Sequence, residues 1–196
     1  VKPVDRSGSR SITKLNSPEG LEEAVRSAMA VSFAGAAVVE EFFTGVEYSV
    51  EFISWRGEHH FLALTRKFTT GAPHFIETGH IEPANVSDEI LTRVKSVVSH
   101  ALDTLGVEYG ASHSEILINE EGGIRIVEIG SRMGGDCIGS DLVPLSTGVD
   151  FLAAVISVAL GQEPSLDPAA HYDAAMIRFM FSKDDLTILS TLQEES

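Results

Sequence analysis

Apolar and polar positions along this chain alternate with two different periods. From Val46 the period is two, with Tyr48, Val50 and Phe52 set against Glu47, Ser49 and Glu51, as in a strand with one buried face. Phe61–Lys67 and Pro73–Glu77 read as further antiparallel strands, and Thr69–Pro73 between them as a mobile loop. The period then lengthens. Ile90, Val94, Val97, Val98, Ala101 and Leu105 lie on one face of a helix that Ser87 caps and Gly106 ends. Earlier in the chain, Leu21, Ala24, Val25, Ala28 and Met29 follow helical spacing to about Phe33, with Ser17 as the expected N-cap and Pro18 in the first turn. Val1–Val4, Ser11–Leu15 and Ala36–Glu40 read as short strands, and Asp173–Phe181 as a last one. Val149–Leu160 is apolar nearly all round and is followed by Gly161, which predicts a helix buried in protein. Ser182–Ser196 reads as an incomplete tail.

The most informative stretch is Glu115 to Asp136, E-I-L-I-N-E-E-G-G-I-R-I-V-E-I-G-S-R-M-G-G-D. Two apolar-rich runs flank Glu120-Glu121-Gly122-Gly123, a polar turn ending in glycine, so a hairpin is expected. With Asn119 facing Ile124, Leu117 falls opposite Ile126 and Glu115 opposite Glu128. Facing side chains share a sheet face at roughly 4.5–5.5 Å between Cβ atoms, and two like charges there repel unless a proton or cation intervenes. The flanks Ile116, Leu117, Ile118, Ile126, Val127 and Ile129 predict a buried hairpin, where uncompensated acids are rare. A hard divalent cation suits this oxygen-only pair. Arg132 follows in the glycine-rich turn Gly130–Gly135, and a fixed cation beside an acidic metal site is what a transferring phosphoryl group needs.

Charge narrows the partners. The 196 residues carry a net charge of −15, which argues against a broad basic surface for nucleic acid or an anionic membrane. A small anionic ligand is still allowed where the few cations converge. Cys137 is the only cysteine, so no internal disulfide forms and a reducing cytoplasm is expected. It reads as a small packed residue. The longest apolar run, Phe151–Leu160, is shorter than the roughly 20 residues of a spanning helix. Because Val1-Lys2-Pro3-Val4 opens directly as a strand, we expect a fragment lacking its N-terminal part. Its first residues would then be short of cover, open to association as a homodimer, and inactive in isolation.

In order and spacing these pieces resemble the ATP-grasp superfamily of carboxylate–amine ligases, closest to the branch of amino-acid (dipeptide) ligases and carnosine-synthase-like enzymes. The likeness runs from Val1 to about Pro164. It implies an α+β fold: an antiparallel sheet with packed helices (residues 45–196, the large lobe) and the end of a small α+β lobe (residues 1–44). V-K-P followed by D-R-S-G-S-R resembles the family's phosphate-contacting lysine and flexible loop, which implies Lys2 on the α/β-phosphates with Ser7, Gly8 and Ser9 over them. E-E-F-F-T-G-V-E resembles the hinge that reads adenine, which implies Glu40 near the adenine amino group, backbone around Glu41–Phe43 on the base edge, and Glu47 on the ribose. The resemblance places Mg²⁺, or Mn²⁺, on Glu115 and Glu128, and Arg132 at the transferring phosphoryl group. Gly130 departs from the pattern, standing where the usual E-I-N-x-R has asparagine, so the number of ions is open. Substrates would be a small carboxylate and an amine. Glu77 and His80 are candidate substrate contacts, with a turn-stabilising hydrogen bond as the alternative. His113 shares a strand face with Glu115 and reads as a structural histidine. The competing functions are a non-catalytic nucleotide- or metal-binding module and a biotin-carboxylase-like enzyme.

Overall fold

The structure, a computed structural model, describes residues 1–6, 8, 10–71, 76–169 and 173–195. It divides into two compact units, one built on Val1–Phe43 and the other on Thr44–Thr70 and Ile76–Ser196.

In the first unit, β1 (Lys2–Pro3) pairs antiparallel with β2 (Ala37–Val38), and α1 spans Leu21–Val31. The helix starts later than its capping signal implied. Leu21 N–H turns back to the Pro18 carbonyl, and Gly20, at φ 79°, supplies the left-handed backbone from which the helix departs. Ser17 and Pro18 therefore form the preceding turn. Ser11–Leu15 is not a strand: Thr13 exchanges one pair of hydrogen bonds with Val1, both 2.9 Å, and no ladder follows. The carboxylate of Asp5 accepts from the backbone N–H groups of Phe33 and Ala34, tying the chain after β1 to the segment beyond α1.

The second unit is a six-stranded antiparallel sheet in the order β7-β6-β3-β4-β5-β8. Its strands are β3 (Val46–Trp55), β4 (Glu58–Thr69), β5 (Glu77–Glu82), β6 (Gly110–Ile118), β7 (Ile124–Gly130) and β8 (Ala175–Arg178). The expected strand at Pro73–Glu77 is corrected: Glu77 opens β5, and residues 73–75 lie outside the described residues, as does part of the expected loop over 69–73. On one face, Tyr48, Val50, Phe52, Leu64, Ile116 and Ile118 pack against Val94, Val98 and Leu102 of α2 (Asp88–Leu105). Ser87 accepts from the Ile90 N–H, and Gly106 ends the helix in the left-handed region.

A π-helical turn (Ile138–Leu142), α3 (Val143–Thr147) and α4 (Phe151–Ala159) follow β7. Val143, Phe151 and Val158 pack with Ile53, Leu62, Ala63 and Ala111 of the sheet. Only one side of α4 is buried. Leu152 and Ile156 are exposed, which corrects the expectation of a fully buried helix. The supposed tail is α5 (Lys183–Glu195). It opens with a reciprocal cap in which Ser182 N–H donates to Asp185 (3.0 Å) and Asp185 N–H to Ser182 Oγ (3.3 Å). Among the described residues no single helix is long and apolar enough to cross a membrane.

Candidate active site

The site is assembled on the second face of the sheet, from the polar half of each alternation. Cross-strand pairing puts Ser49 opposite both Thr65 and Glu115, Glu51 opposite His113, and Lys67 opposite His80. Facing residues share a face. Glu51, His80 and Glu82 are fully buried, and Lys67 and His113 almost so. A polar set that looks solvated in the sequence is thus a dry layer.

Its centre is Lys67. The Nζ lies 3.0 Å from Glu47 Oε1, 2.5 Å from Glu77 Oε1 and 2.9 Å from Glu115 Oε1. Burial works against this ammonium, but the charges of Glu115 and Glu47, with hydrogen bonds to Glu115 and Glu77, hold its pKa above the ordinary lysine value. Glu115 is held down at about 2, first by the neighbouring His113 and then, against burial, by Lys67. His113 bridges two acids: Nδ1 bonds Glu51, and Nε2 lies 3.6 Å from Glu115 Oε1. Burial opposes its charge, yet the nearby carboxylates of Glu115 and Glu51, the latter hydrogen-bonded to it, push its pKa up to about 9. One ammonium facing three carboxylates leaves the Lys67 group negative, an environment that favours a further cation.

Glu51 also accepts the backbone N–H of Gly134 at 2.9 Å. A Cβ at Gly134 would stand 2.8 Å from Glu51 Oε1 and 3.0 Å from His113 Nδ1, so only glycine lets the loop after β7 close over this carboxylate. Two strands from Glu51, on β5, Glu82 accepts from Thr65 Oγ1 and from Ser146 Oγ (2.5 Å). Burial raises its pKa to about 7 in spite of these donors.

The hairpin register differs from the simple expectation and reaches the same pairing at the acids. Next to the turn, Ile118 faces Ile124 and Leu117 faces Arg125; a bulge between Glu115 and Ile116 then restores Glu115 opposite Glu128. The hairpin is not buried throughout. β7 is the edge strand, so Ile126, Val127 and Ile129 are only half-buried and Glu128 is exposed. Glu128 makes no ion pair among the described residues. Arg132 is exposed, its Nη1 donating to the Met133 carbonyl at 2.8 Å.

The other sequence candidates fall in different places. Glu47 and Glu77 join Glu115 around Lys67, within a spacing (oxygens within 4.8 Å of one another) that a metal ion could bridge. His80 lies beside Glu77 at 3.4 Å. In the first unit, Lys2 and Glu40 pair at 2.9 Å; Gly8 lies in a turn with φ 71°, and Ser7 and Ser9 are outside the described residues. Glu41 is exposed and Phe43 half-buried. Cys137 is exposed, not packed, because its left-handed backbone (φ 60°) turns the chain into the π-helix at the surface. Sequence reasoning missed Lys67 and Glu51. The available signal was a lysine one step along the strand from Arg66, on the same alternating positions as Thr65.

A family model described as an ATP-grasp domain matches residues 1–140. The chain belongs to the ATP-grasp family. Among curated proteins it is 27% identical over 142 residues to a D-alanine–D-alanine ligase of Mannheimia succiniciproducens, covering 68% of this chain and 44% of that protein. It is 25% identical over 176 residues to human carnosine synthase 1, covering 89% of this chain and 21% of that protein. The chain thus spans less than half the length of these relatives. Among solved structures, an L-amino acid ligase from Bacillus licheniformis is 27% identical with a TM-score of 0.64, over 72% of this chain and 35% of that one. A biotin carboxylase from Campylobacter jejuni superposes with a TM-score of 0.70 at 20% identity, over 82% and 36%, a likeness of fold alone.

Proposed function

We propose that this chain carries the phosphoryl-transfer face of an ATP-dependent carboxylate–amine ligase of the amino-acid ligase branch. The observation that carries the reading is the buried Lys67 held by Glu47, Glu77 and Glu115, with the unpaired Glu128 across the hairpin. The identities to an L-amino acid ligase and to carnosine synthase support the branch.

In this reading the γ-phosphorus of ATP is attacked by a substrate carboxylate oxygen. The bond to the bridging oxygen breaks, and ADP leaves. The amine then attacks the acyl carbon of the mixed anhydride, phosphate departs with the C–O electron pair, and the amine loses a proton. Most of the rate comes from positioning and charge neutralisation. Lys67 stays charged across the working pH range and meets the developing phosphoryl charge. Arg132 grips two of its oxygens with a planar fork. Glu115 and Glu128 are oxygen donors on one face and suit Mg²⁺, which when bound would offset phosphate charge. Lys2 and the loop of Ser7, Gly8 and Ser9 contact the other phosphates, and Glu40, Glu41 and Phe43 read the base.

An ADP-release screen against pairs of amino acids, run with Mg²⁺ on the protein that carries this chain, tests the proposal. Release that needs both an acid and an amine supports it. Release with bicarbonate alone, or no release with any pair while ATP binds, contradicts it.

A further inference from the structure

Beside the Lys67 group, a second cluster has a different chemistry. A ring nitrogen of His80 and carboxylate oxygens of Glu77 and Asp136 lie within 4.8 Å of one another. His80 has no exposed surface, and neither ring nitrogen has a hydrogen-bond partner among the described residues. A buried imidazole with both nitrogens unsatisfied is costly, and Phe179, packed edge-on at 5.5 Å, limits its rotation. Its Nε2 stands 3.4 Å from Glu77 Oε2 without hydrogen-bond geometry. For a tetrahedral ion with bonds of about 2.1 Å, neighbouring ligand atoms are separated by about 3.4 Å. The two oxygens of Glu77 are divided: Oε1 serves Lys67 and Oε2 faces His80. Asp136 is exposed, in a left-handed turn at φ 50°. Two carboxylates within 4.8 Å of a buried imidazole that has no hydrogen-bond partner among the described residues form a site suited to a cation.

We infer that Glu77, His80 and Asp136 bind a transition-metal divalent cation of the Zn²⁺ type, separate from the Mg²⁺ assigned to Glu115 and Glu128. The imidazole decides the class, because a ring-nitrogen donor suits Zn²⁺ and similar late transition metals, whereas Mg²⁺ takes oxygens and keeps its waters. Exposure of Asp136 gives the ion a way in, and water completes the coordination. The inference stands on its own geometry and does not require the ligase reading.

The test is titration of the chain with Co²⁺ in the absence of nucleotide, read by its visible d–d absorption. One equivalent should give bands of a four- or five-coordinate ion, displaced by Zn²⁺ and not by millimolar Mg²⁺. His80→Ala and Asp136→Asn should each weaken binding at least tenfold, and Glu128→Gln should leave it unchanged. Asp136 is exposed, so Asp136→Asn remains informative if His80→Ala does not fold, as judged by circular dichroism. Absence of the bands, equal competition by Mg²⁺, or unchanged affinity in Asp136→Asn would overturn the inference. Because no ATP is present, failure here leaves the ligase reading untouched, and failure of that reading leaves this site standing.

Discussion

The two faces of the central sheet are both largely buried and differ in chemistry. Beneath α2, Val50, Phe52, Leu64 and Ile116 are excluded from water among other apolar groups. On the reverse face, Glu51, His80 and Glu82 are just as buried, but among charges. The first face is held by non-directional burial. The second has an apolar part too, where Ile53, Ala63 and Ala111 pack against Val143 and Phe151, but its charged part holds together only while each charge keeps its partner, since a buried ion pair contributes little net stability and breaking it costs much. A fold with one such face has placed Lys67 and its carboxylates where water screens them only in part. That difference can be tested residue by residue.

The largest effect should come from Lys67→Met. It leaves Glu47, Glu77 and Glu115 facing one another without their ammonium, and we expect a loss of roughly 3–5 kcal/mol together with loss of turnover. Denaturant titration checks the first and ADP release the second. Leu102→Ala on the opposite face should cost about 2–5 kcal/mol through lost burial and a cavity, with the KM for ATP unchanged in the fraction that remains folded. A variant of Leu102 that altered KM as strongly as one of Lys67 would erase the distinction between the faces.

The faces should also differ in pH response, since only one of them titrates. His113 has its pKa raised from 6.5 to about 9, so its stabilising contribution is complete below pH 6.5 and is lost as pH rises toward 9. Glu82 is raised from 4.5 to about 7, so its contribution declines over that lower window. Glu115 is lowered from 4.5 to about 2, and its contribution is lost as pH falls below 4.5. Urea midpoints should therefore decline between pH 6.5 and 9 and flatten there in His113→Asn; an unchanged slope would remove His113 from the ion-paired layer. The smallest stability effect belongs to Arg132→Lys at the exposed loop. Its midpoint should stay within about 0.5 kcal/mol of wild type while kcat falls severely, because the fork acts as charge develops. A change confined to KM would indicate simple substrate binding.

The apolar face was legible because period-two alternation and the 3.6-residue spacing of Val94, Val98 and Leu102 report burial directly. Ser87 and Gly106 likewise marked the ends of α2. The polar face was half-legible. Glu115 and Glu128 could be paired across a turn, since local register is set by a short loop, although the bulge that makes the pairing work has no sequence mark. Lys67 and Glu51 could not be found that way. Their partners lie 48 and 62 residues away for Lys67–Glu115 and Glu51–His113, and a strand acid reads as solvated until the loop at Gly134 is seen to cover it. The helix at Lys183–Glu195 was missed for a simpler reason: Asp replaces the usual Glu or Gln of its capping box.

We propose that the polar face binds a hard cation for phosphoryl transfer, and Glu128→Gln tests this. The amide keeps the shape of the side chain and removes the charge that holds such an ion. Glu128 is exposed on an edge strand, so the fold should not register the change. ADP release should be measured across a Mg²⁺ titration in wild type and variant, alongside thermal midpoints. An unchanged midpoint with turnover abolished is expected, whereas Mg²⁺-dependent turnover within tenfold of wild type would remove Glu128 from the metal site.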